Sequence, residues 1–367
     1  MRNKIISILF CALLTIGIAL SAIMPDKYYS ESEKRLLTQK PVFTIKALIS
    51  GKYGSDLEKY LEDQFPGRDG WITAKTLTEL ISGKKDIGGV YFGKDGYLIQ
   101  KFDSYDKATL EKNVAALKKL SDSLSESGIE MKVMLVPTAL DILSDKLPAF
   151  APKVDQNEII DFAKAAGLDV VDVTDALSAH KDEYIFYKTD HHYTSLGAYY
   201  VYAEYMKALG KTPDSLDKWQ SEVLCDNFRG TTYSKVNYPF APYDTITAYY
   251  KFENHKVDYN NGNYVTDSIY ERKYLDGKDQ YATFLNSNQA TTVVSANGEG
   301  KLLIIKDSYA NCFSQFVIDD FEETHLIDMR FFTGNITDYI AENGITDVLV
   351  LYNAPNFAAD GYVSRIA

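Results

Sequence analysis

The chain has 367 residues, 46% of them apolar or aromatic, enough for one large domain with appendages or for two modest domains. Its formal net charge of −12 argues against a nucleic-acid partner, because phosphates would be repelled by so acidic a surface. Three cysteines, Cys11, Cys225 and Cys312, cannot make a disulfide framework and stand at no zinc-ligand spacing, so Cys225 and Cys312 read as free core thiols.

Arg2 and Lys4 precede an uncharged run from Ile5 to Met24, long enough to cross a bilayer at about 20 residues. Basic residues ahead of such a run stay in the cytoplasm and send the chain beyond Pro25 outside. Residues 1–26 therefore read as a signal anchor, or as a signal peptide cut near Ala19-Leu20-Ser21. Continuation of the run to Met24 favours the anchor. Lipid attachment at Cys11 is not expected, since it lies mid-run after the bulky Phe10. The expected location is a membrane-anchored position on the extracytoplasmic side, or secretion if the segment is cleaved.

Residues 27–85 are mixed and charged, with helix-like stretches such as Ser55–Leu61 and a turn at Phe65–Trp71, which predicts a helical stalk packed on the main domain. The main domain, residues 86–367, opens with a hairpin around Gly93-Lys94-Asp95-Gly96. Ser104 can cap a helix carrying Leu110, Val114, Leu117 and Leu120 at helical spacing. An apolar strand follows at Lys132–Pro137, then a helix over Asn157–Ala166 ended by Gly167, then a strand over Leu168–Val173. Thr194 can cap a helix that runs to Leu209. Strands at Leu302–Lys306, His325–Met329 and Asp347–Tyr352 alternate with helices after Ser308 and Asn335. Apolar strands alternating with helices predict an α/β fold with a doubly wound parallel sheet. Residues 227–296 break the pattern: tyrosine, asparagine, threonine and glycine dominate, and an irregular or β-rich insertion is expected. The chain's 28 tyrosines suit either a sugar-facing surface or the rims of a sheet.

Chemistry concentrates at Asp190-His191-His192, two of only five histidines beside an aspartate. Ser308 follows the apolar strand at Leu302, where its N–H would stand at the start of a helix whose dipole favours negative charge. A serine hydroxyl is a weak nucleophile until an imidazole takes its proton, and a carboxylate must hold that imidazole in the right tautomer. Asn353 also follows a strand. Ligands in open α/β sheets bind beyond the carboxyl ends of the strands, so Ser308, the Asp190–His192 segment and Asn353 can converge on one cleft.

The segment Tyr187-Lys188-Thr189-Asp190-His191-His192-Tyr193-Thr194, with Gly197-Ala198 beyond it, resembles the signature of the DHHW proteins, relatives of the alginate O-acetyltransferases in the SGNH hydrolase superfamily. Phe65–Asp69, Gly93–Leu98, Val136-Pro137-Thr138, Lys306–Tyr309 and Asp328–Phe332 resemble further family segments. The resemblance implies an SGNH-like sheet, with Ser308 as nucleophile, His192 as base and Asp190 as acid. In the superfamily the serine usually comes first and the Asp–His block last. Here the order is reversed, which a circular permutation starting from the Leu302 strand would accommodate. The implied reaction is transfer or hydrolysis of O-acetyl groups on a cell-surface polysaccharide, with room for a membrane-embedded protein as acyl donor and no cofactor or metal.

Two departures stand out. Tyr193 replaces the family's tryptophan, and Arg330 stands where an oxyanion-hole glycine is usual. Asn353, Arg330, Tyr193, His191 and Lys188 are the candidate oxyanion and substrate contacts. Competing readings are an inactive SGNH-like scaffold that only binds glycan and, further off, a metal-dependent phosphoesterase. The latter needs several more strand-end aspartates than Asp169, Asp172 and Asp175 supply.

Overall fold

The computed structural model describes residues 2–30, 35–252 and 255–366, and divides into two units. The first comprises Met1–Gly88 with Tyr233–Phe240. It begins with α1 (Arg2–Ile23). Within α1, Lys4–Ser21 is the one stretch among the described residues long and apolar enough to cross a membrane, and none of it is buried. Pro25 cannot continue the helix. A two-residue ladder pairs β1 (Tyr29–Ser30) with β2 (Arg35–Leu36). Three helices follow: α2 (Ile45–Ile49), α3 (Lys52–Asp63) and α4 (Arg68–Ile81). The Thr44 hydroxyl accepts from the Ala47 N–H to start α2.

The second unit comprises Gly89–Thr232 and Ala241–Ala367. The hairpin of β3 (Val90–Phe92) and β4 (Leu98–Gln100) leads into α5 (Lys107–Glu126) and β5 (Glu130–Val136). Helix α5 starts later than the sequence suggested. Asp106, not Ser104, caps it, because the aspartate carboxylate accepts both the Ala108 N–H and the Thr109 hydroxyl. After α6 (Asn157–Ala165), the expected strand at Leu168–Val173 reduces to a single bridge between Val170 and Val133. Helix α7 (Ser195–Ala208) is capped by Thr194, whose hydroxyl accepts from the Gly197 N–H. A Cβ on Gly197 would stand 2.3 Å from the Ile185 carbonyl, so glycine lets α7 approach that close.

The tyrosine-rich stretch is not set apart from the central sheet. Strand β6 (Gln220–Phe228), which runs into it, pairs with its β7 (Asp244–Tyr250) as a ribbon, and the stretch then supplies β8 (Lys256–Tyr259), β9 (Tyr264–Thr266) and β10 (Thr291–Ser295). The last three strands extend the sheet on an antiparallel edge, and residues 253–254 of the stretch lie outside the described set. The remaining elements are β11 (Lys301–Lys306), α8 (Tyr309–Val317), β12 (Glu323–Ile327), α9 (Ile336–Asn343), β13 (Asp347–Asn353) and α10 (Ala354–Ala359). The seven strands lie in the order β9-β8-β10-β12-β11-β13-β5, parallel from β12 to β5.

Both faces of the parallel strands are dry, which is why these strands read as continuous apolar runs. Leu302, Ile304, Leu349 and Leu351 face a core with Val201 and Tyr205 of α7 and Phe313 and Phe316 of α8. Leu303, Ile305, Val348 and Val350 face a second core with Leu117 of α5, Ile160 of α6 and Ile340 of α9. The period-two alternation of side chains in a strand divides the two sets.

Candidate active site

The carboxyl ends of β11 and β13 adjoin in the parallel ladder. Beyond β11 stands Asp307, fully buried, with a carboxyl pushed up by that burial. Four N–H donors converge on it. Tyr309 N donates to Oδ1, while Asn353 N, Asn353 Nδ2 and Asn356 Nδ2 donate to Oδ2. This fastens the turn that carries Ser308 to the turn after β13. Ser308 stands at the N-cap position of α8, yet its hydroxyl makes no cap bond. Asp307 serves that helix start instead.

Freed from capping, the Ser308 hydroxyl lies 2.7 Å from His192 Nε2. His192 Nδ1 is 2.6 Å from Asp190 Oδ1, which also accepts the His192 backbone N–H. A carboxylate at Nδ1 fixes the proton there and leaves Nε2 as the acceptor facing Ser308. The other carboxylate oxygen accepts the Thr231 N–H at 2.7 Å and the Thr231 hydroxyl at 3.0 Å. That hydroxyl meets His191 Nδ1 at 2.6 Å, so one bonded chain runs from His191 through Thr231, Asp190 and His192 to Ser308. The Tyr281 ring lies flat on the imidazole, centroids 3.8 Å apart, and its hydroxyl donates to the Ser308 carbonyl.

A cleft of about 260 Å³ opens at Ser308. His191, Arg330, Asn353 and Asn356 line it together with Phe102, Thr138 and Leu140. Arg330 forks onto Asp328 through Nε at 2.8 Å and a terminal nitrogen at 2.5 Å, so part of its charge is already matched. Asn353 donates to Asp307 and accepts the Asn356 N–H, and it braces the nucleophile's turn. Among the described residues, Asp190, His191 and His192 are the one group with metal-ligand atoms within 4.8 Å of one another. Both ring nitrogens of His192 are already directed at Asp190 and Ser308.

Three expectations need correction. Tyr193 cannot touch substrate: it is fully buried, and its hydroxyl donates to the Tyr309 carbonyl at 2.5 Å. Lys188 does not line the cleft. Its ammonium sits over the Tyr97 ring and its backbone N–H donates to Asp244. Among the described residues no tyrosine lines this cleft, because Tyr281 and the other tyrosine rings nearby are turned into the core. Of the thiols, Cys312 is buried and pushed up to about 12 by that burial, whereas Cys225 is partly exposed.

The profile of the DHHW protein family matches residues 76–327, more than half of the sequence. The chain belongs to the DHHW family. A crystal structure of a DHHW protein from Eubacterium siraeum superposes with a TM-score of 0.65 at 26% identity, covering 76% of this chain and 94% of that one. PatB1 of Bacillus cereus gives 0.61 at 21% identity, covering 73% and 97%. The O-acetyltransferase domain of Pseudomonas putida AlgJ gives 0.47 at 14%, covering 76% and 98%. Among curated proteins, none matches the sequence.

Several supports of this DHHW site carried no signal in the sequence. Gly230 is one: a Cβ there would stand 2.0 Å from Asp190 Oδ2, so only glycine leaves room for the carboxylate. Asp244 is another. It is buried, with its carboxyl raised by burial, and it accepts the N–H groups of Lys188 and Thr189 and the hydroxyls of Tyr184 and Thr189. These bonds pin the loop that presents Asp190.

Proposed function

We propose that this DHHW protein is an extracytoplasmic serine acyl-transfer enzyme, held to a membrane by its N-terminal helix, that moves O-acetyl groups on a cell-surface polysaccharide. The observation that carries the reading is the alignment of Ser308, His192 and Asp190 at 2.7 and 2.6 Å, across 116 residues of sequence between the serine and the histidine. The polysaccharide rests on the likeness of the Tyr187–Thr194 segment to relatives of the alginate O-acetyltransferases. We read the sheet as a circularly permuted SGNH arrangement: counted from β11, the strands β12, β11, β13 and β5 run second, first, third and fourth.

His192 Nε2 takes the Ser308 proton as Oγ attacks the acetyl carbonyl carbon. The tetrahedral oxyanion rests on the Ser308 N–H at the head of α8, where the helix dipole favours it. The protonated imidazole then gives its proton to the departing alcohol, leaving acetyl-Ser308. A sugar hydroxyl or water, deprotonated by His192, attacks that ester and returns free serine. Arg330 stands in the cleft to hold an anionic or sugar group of donor or acceptor.

A serine-directed organophosphonate should label the protein at Ser308, and the Ser308→Ala and His192→Ala variants should stay unlabelled. Supplying an activated acetyl ester with short cell-wall oligosaccharides then separates outcomes by mass: acetylated sugar means transferase, acetate alone means esterase. A protein that binds oligosaccharide yet gives neither product nor label is a glycan-binding scaffold. Turnover that depends on added manganese would bring back the phosphoesterase reading.

A further inference from the structure

The stretch from Lys40 to Tyr53 departs from the rest of this acidic chain. It carries Lys40, Lys46 and Lys52, and no acidic residue occurs before Asp56. Its large apolar side chains do not enter a core: Val42, Phe43, Ile45, Leu48 and Ile49 are each more than half exposed. The stretch is nevertheless ordered. Thr44 caps α2, and the Phe43 ring packs edge-on against Tyr53 at 5.2 Å. Lys52 is paired with Asp56, which leaves Lys40 and Lys46 to set the charge of this face.

Its position in the first unit is fixed by hydrogen bonds. Leu37 N donates to the Tyr28 carbonyl, next to the β1–β2 ladder, so the chain doubles back on itself. Gln39 Nε2 then donates to the Lys27 carbonyl at 3.0 Å, and Gln64 bonds both the N–H and the carbonyl of Lys27. Residue 39 is thereby returned beside residue 27. Lys27 is three residues past Met24, or about 10 Å of extended chain. The basic, apolar stretch thus begins about one headgroup layer from the end of the apolar helix.

We propose that residues 40–53 lie in the interfacial layer of the same bilayer that Lys4–Ser21 crosses. Val42, Phe43, Ile45 and Ile49 enter the acyl boundary, and Lys40 and Lys46 rest on anionic headgroups. The proposal rests on the membrane reading of the N-terminal helix. A lipid surface fits this face because exposed aliphatic and aromatic side chains interleaved with lysine, without carboxylates, match an apolar layer under negative phosphates. The first unit is then held to the membrane at two points.

The full chain, in a Cys11→Ser and Cys225→Ser background, is reconstituted into nanodiscs of phosphatidylcholine with or without phosphatidylglycerol. A nitrobenzoxadiazole probe is placed at Ile49→Cys or, as control, at Lys107→Cys in the second unit. Lipids bearing a nitroxide near the headgroup should quench the probe at position 49 several-fold more than at 107, more strongly with phosphatidylglycerol. Adding Lys40→Glu and Lys46→Glu should remove the phosphatidylglycerol dependence with the circular dichroism spectrum unchanged. Chain that co-migrates with the discs but is quenched equally at both positions overturns the proposal. Failure to co-migrate overturns the membrane reading itself, and the proposal with it. A benzophenone at position 49 that cross-links to a protein in cell envelopes, and not to lipid, overturns it in favour of a protein partner.

Discussion

Gly230 is where one methyl group separates a seated carboxylate from a displaced one. Asp190 is held from both sides, by His192 and by Thr231, so it cannot yield to a Cβ at 2.0 Å without losing one of them. Gly230→Ala should therefore behave like a loss of Asp190: acetyl-ester turnover falls by roughly 10²–10⁴-fold while the far-ultraviolet spectrum is kept. Turnover within a factor of two of wild type would show that the carboxylate has slack that the geometry denies. Asp190→Asn should be at least as damaging. An amide that keeps its oxygen on Thr231 presents its NH₂ to His192 Nδ1, and the imidazole must then carry its proton on Nε2, where it cannot accept from Ser308. The rate of phosphonate labelling at Ser308 measures this loss directly, without any assumption about the natural acceptor.

At the scale of elements, the join between the β11–α8 and β13–α10 turns rests on Asp307. Asparagine in its place keeps one acceptor oxygen, held toward the Asn353 and Asn356 donors, and sets an NH₂ against the Tyr309 N–H. Leaving that buried donor unpaired should cost about 1–3 kcal/mol, a fall in Tm of roughly 2–5 °C for a chain of this size by calorimetry. An unchanged Tm in Asp307→Asn would mean that the two turns are held by packing alone. The strands on either side were legible in the sequence because burial on both faces writes a continuous apolar run, as in Leu302–Ile305 and Val348–Leu351. The antiparallel strands β8 to β10 were legible only as an irregular or β-rich insertion, since each is short and sets valine among threonine, tyrosine and other polar residues. The segment at Leu168 was over-read for the opposite reason: its apolar residues pack at a sheet edge without a ladder. Asp190, His192 and Ser308 stood out as rare residue types in suggestive company. Gly230, Thr231 and Tyr281 have no meaning until the fold brings them to that company, and Tyr193 shows that a motif position can be core.

Across the whole molecule, the abundance of tyrosine sets a limit on alkaline stability. Tyr187, Tyr193, Tyr281, Tyr309 and Tyr352 are buried, and burial pushes each hydroxyl well above its ordinary value of 10. Three of them donate to backbone carbonyls around the site, those of Tyr309, Ser308 and His191, bonds a phenolate cannot make. The hydroxyls of Tyr187 and Tyr352 are buried with no partner among the described residues. Because the native values are raised, the stabilisation is complete below pH 10. Above it, the unfolded chain releases protons that the native chain keeps, so stability falls as pH rises. Each tyrosine adds about 1.4 kcal/mol per pH unit, so these five alone give about 7, against a total stability on the order of 5–15 kcal/mol. The fold should therefore be lost within about two pH units above 10, in one step in which tyrosinate absorbance at 295 nm and loss of near-ultraviolet circular dichroism coincide. Tyr187→Phe with Tyr352→Phe removes two of the five groups without removing a hydrogen bond, and should lower the slope by about 3 kcal/mol per pH unit and move the transition upward. Gradual absorbance growth with the near-ultraviolet spectrum intact would show that these rings ionise inside the native fold, and that the core around His192 and Ser308 is wetter than its burial implies.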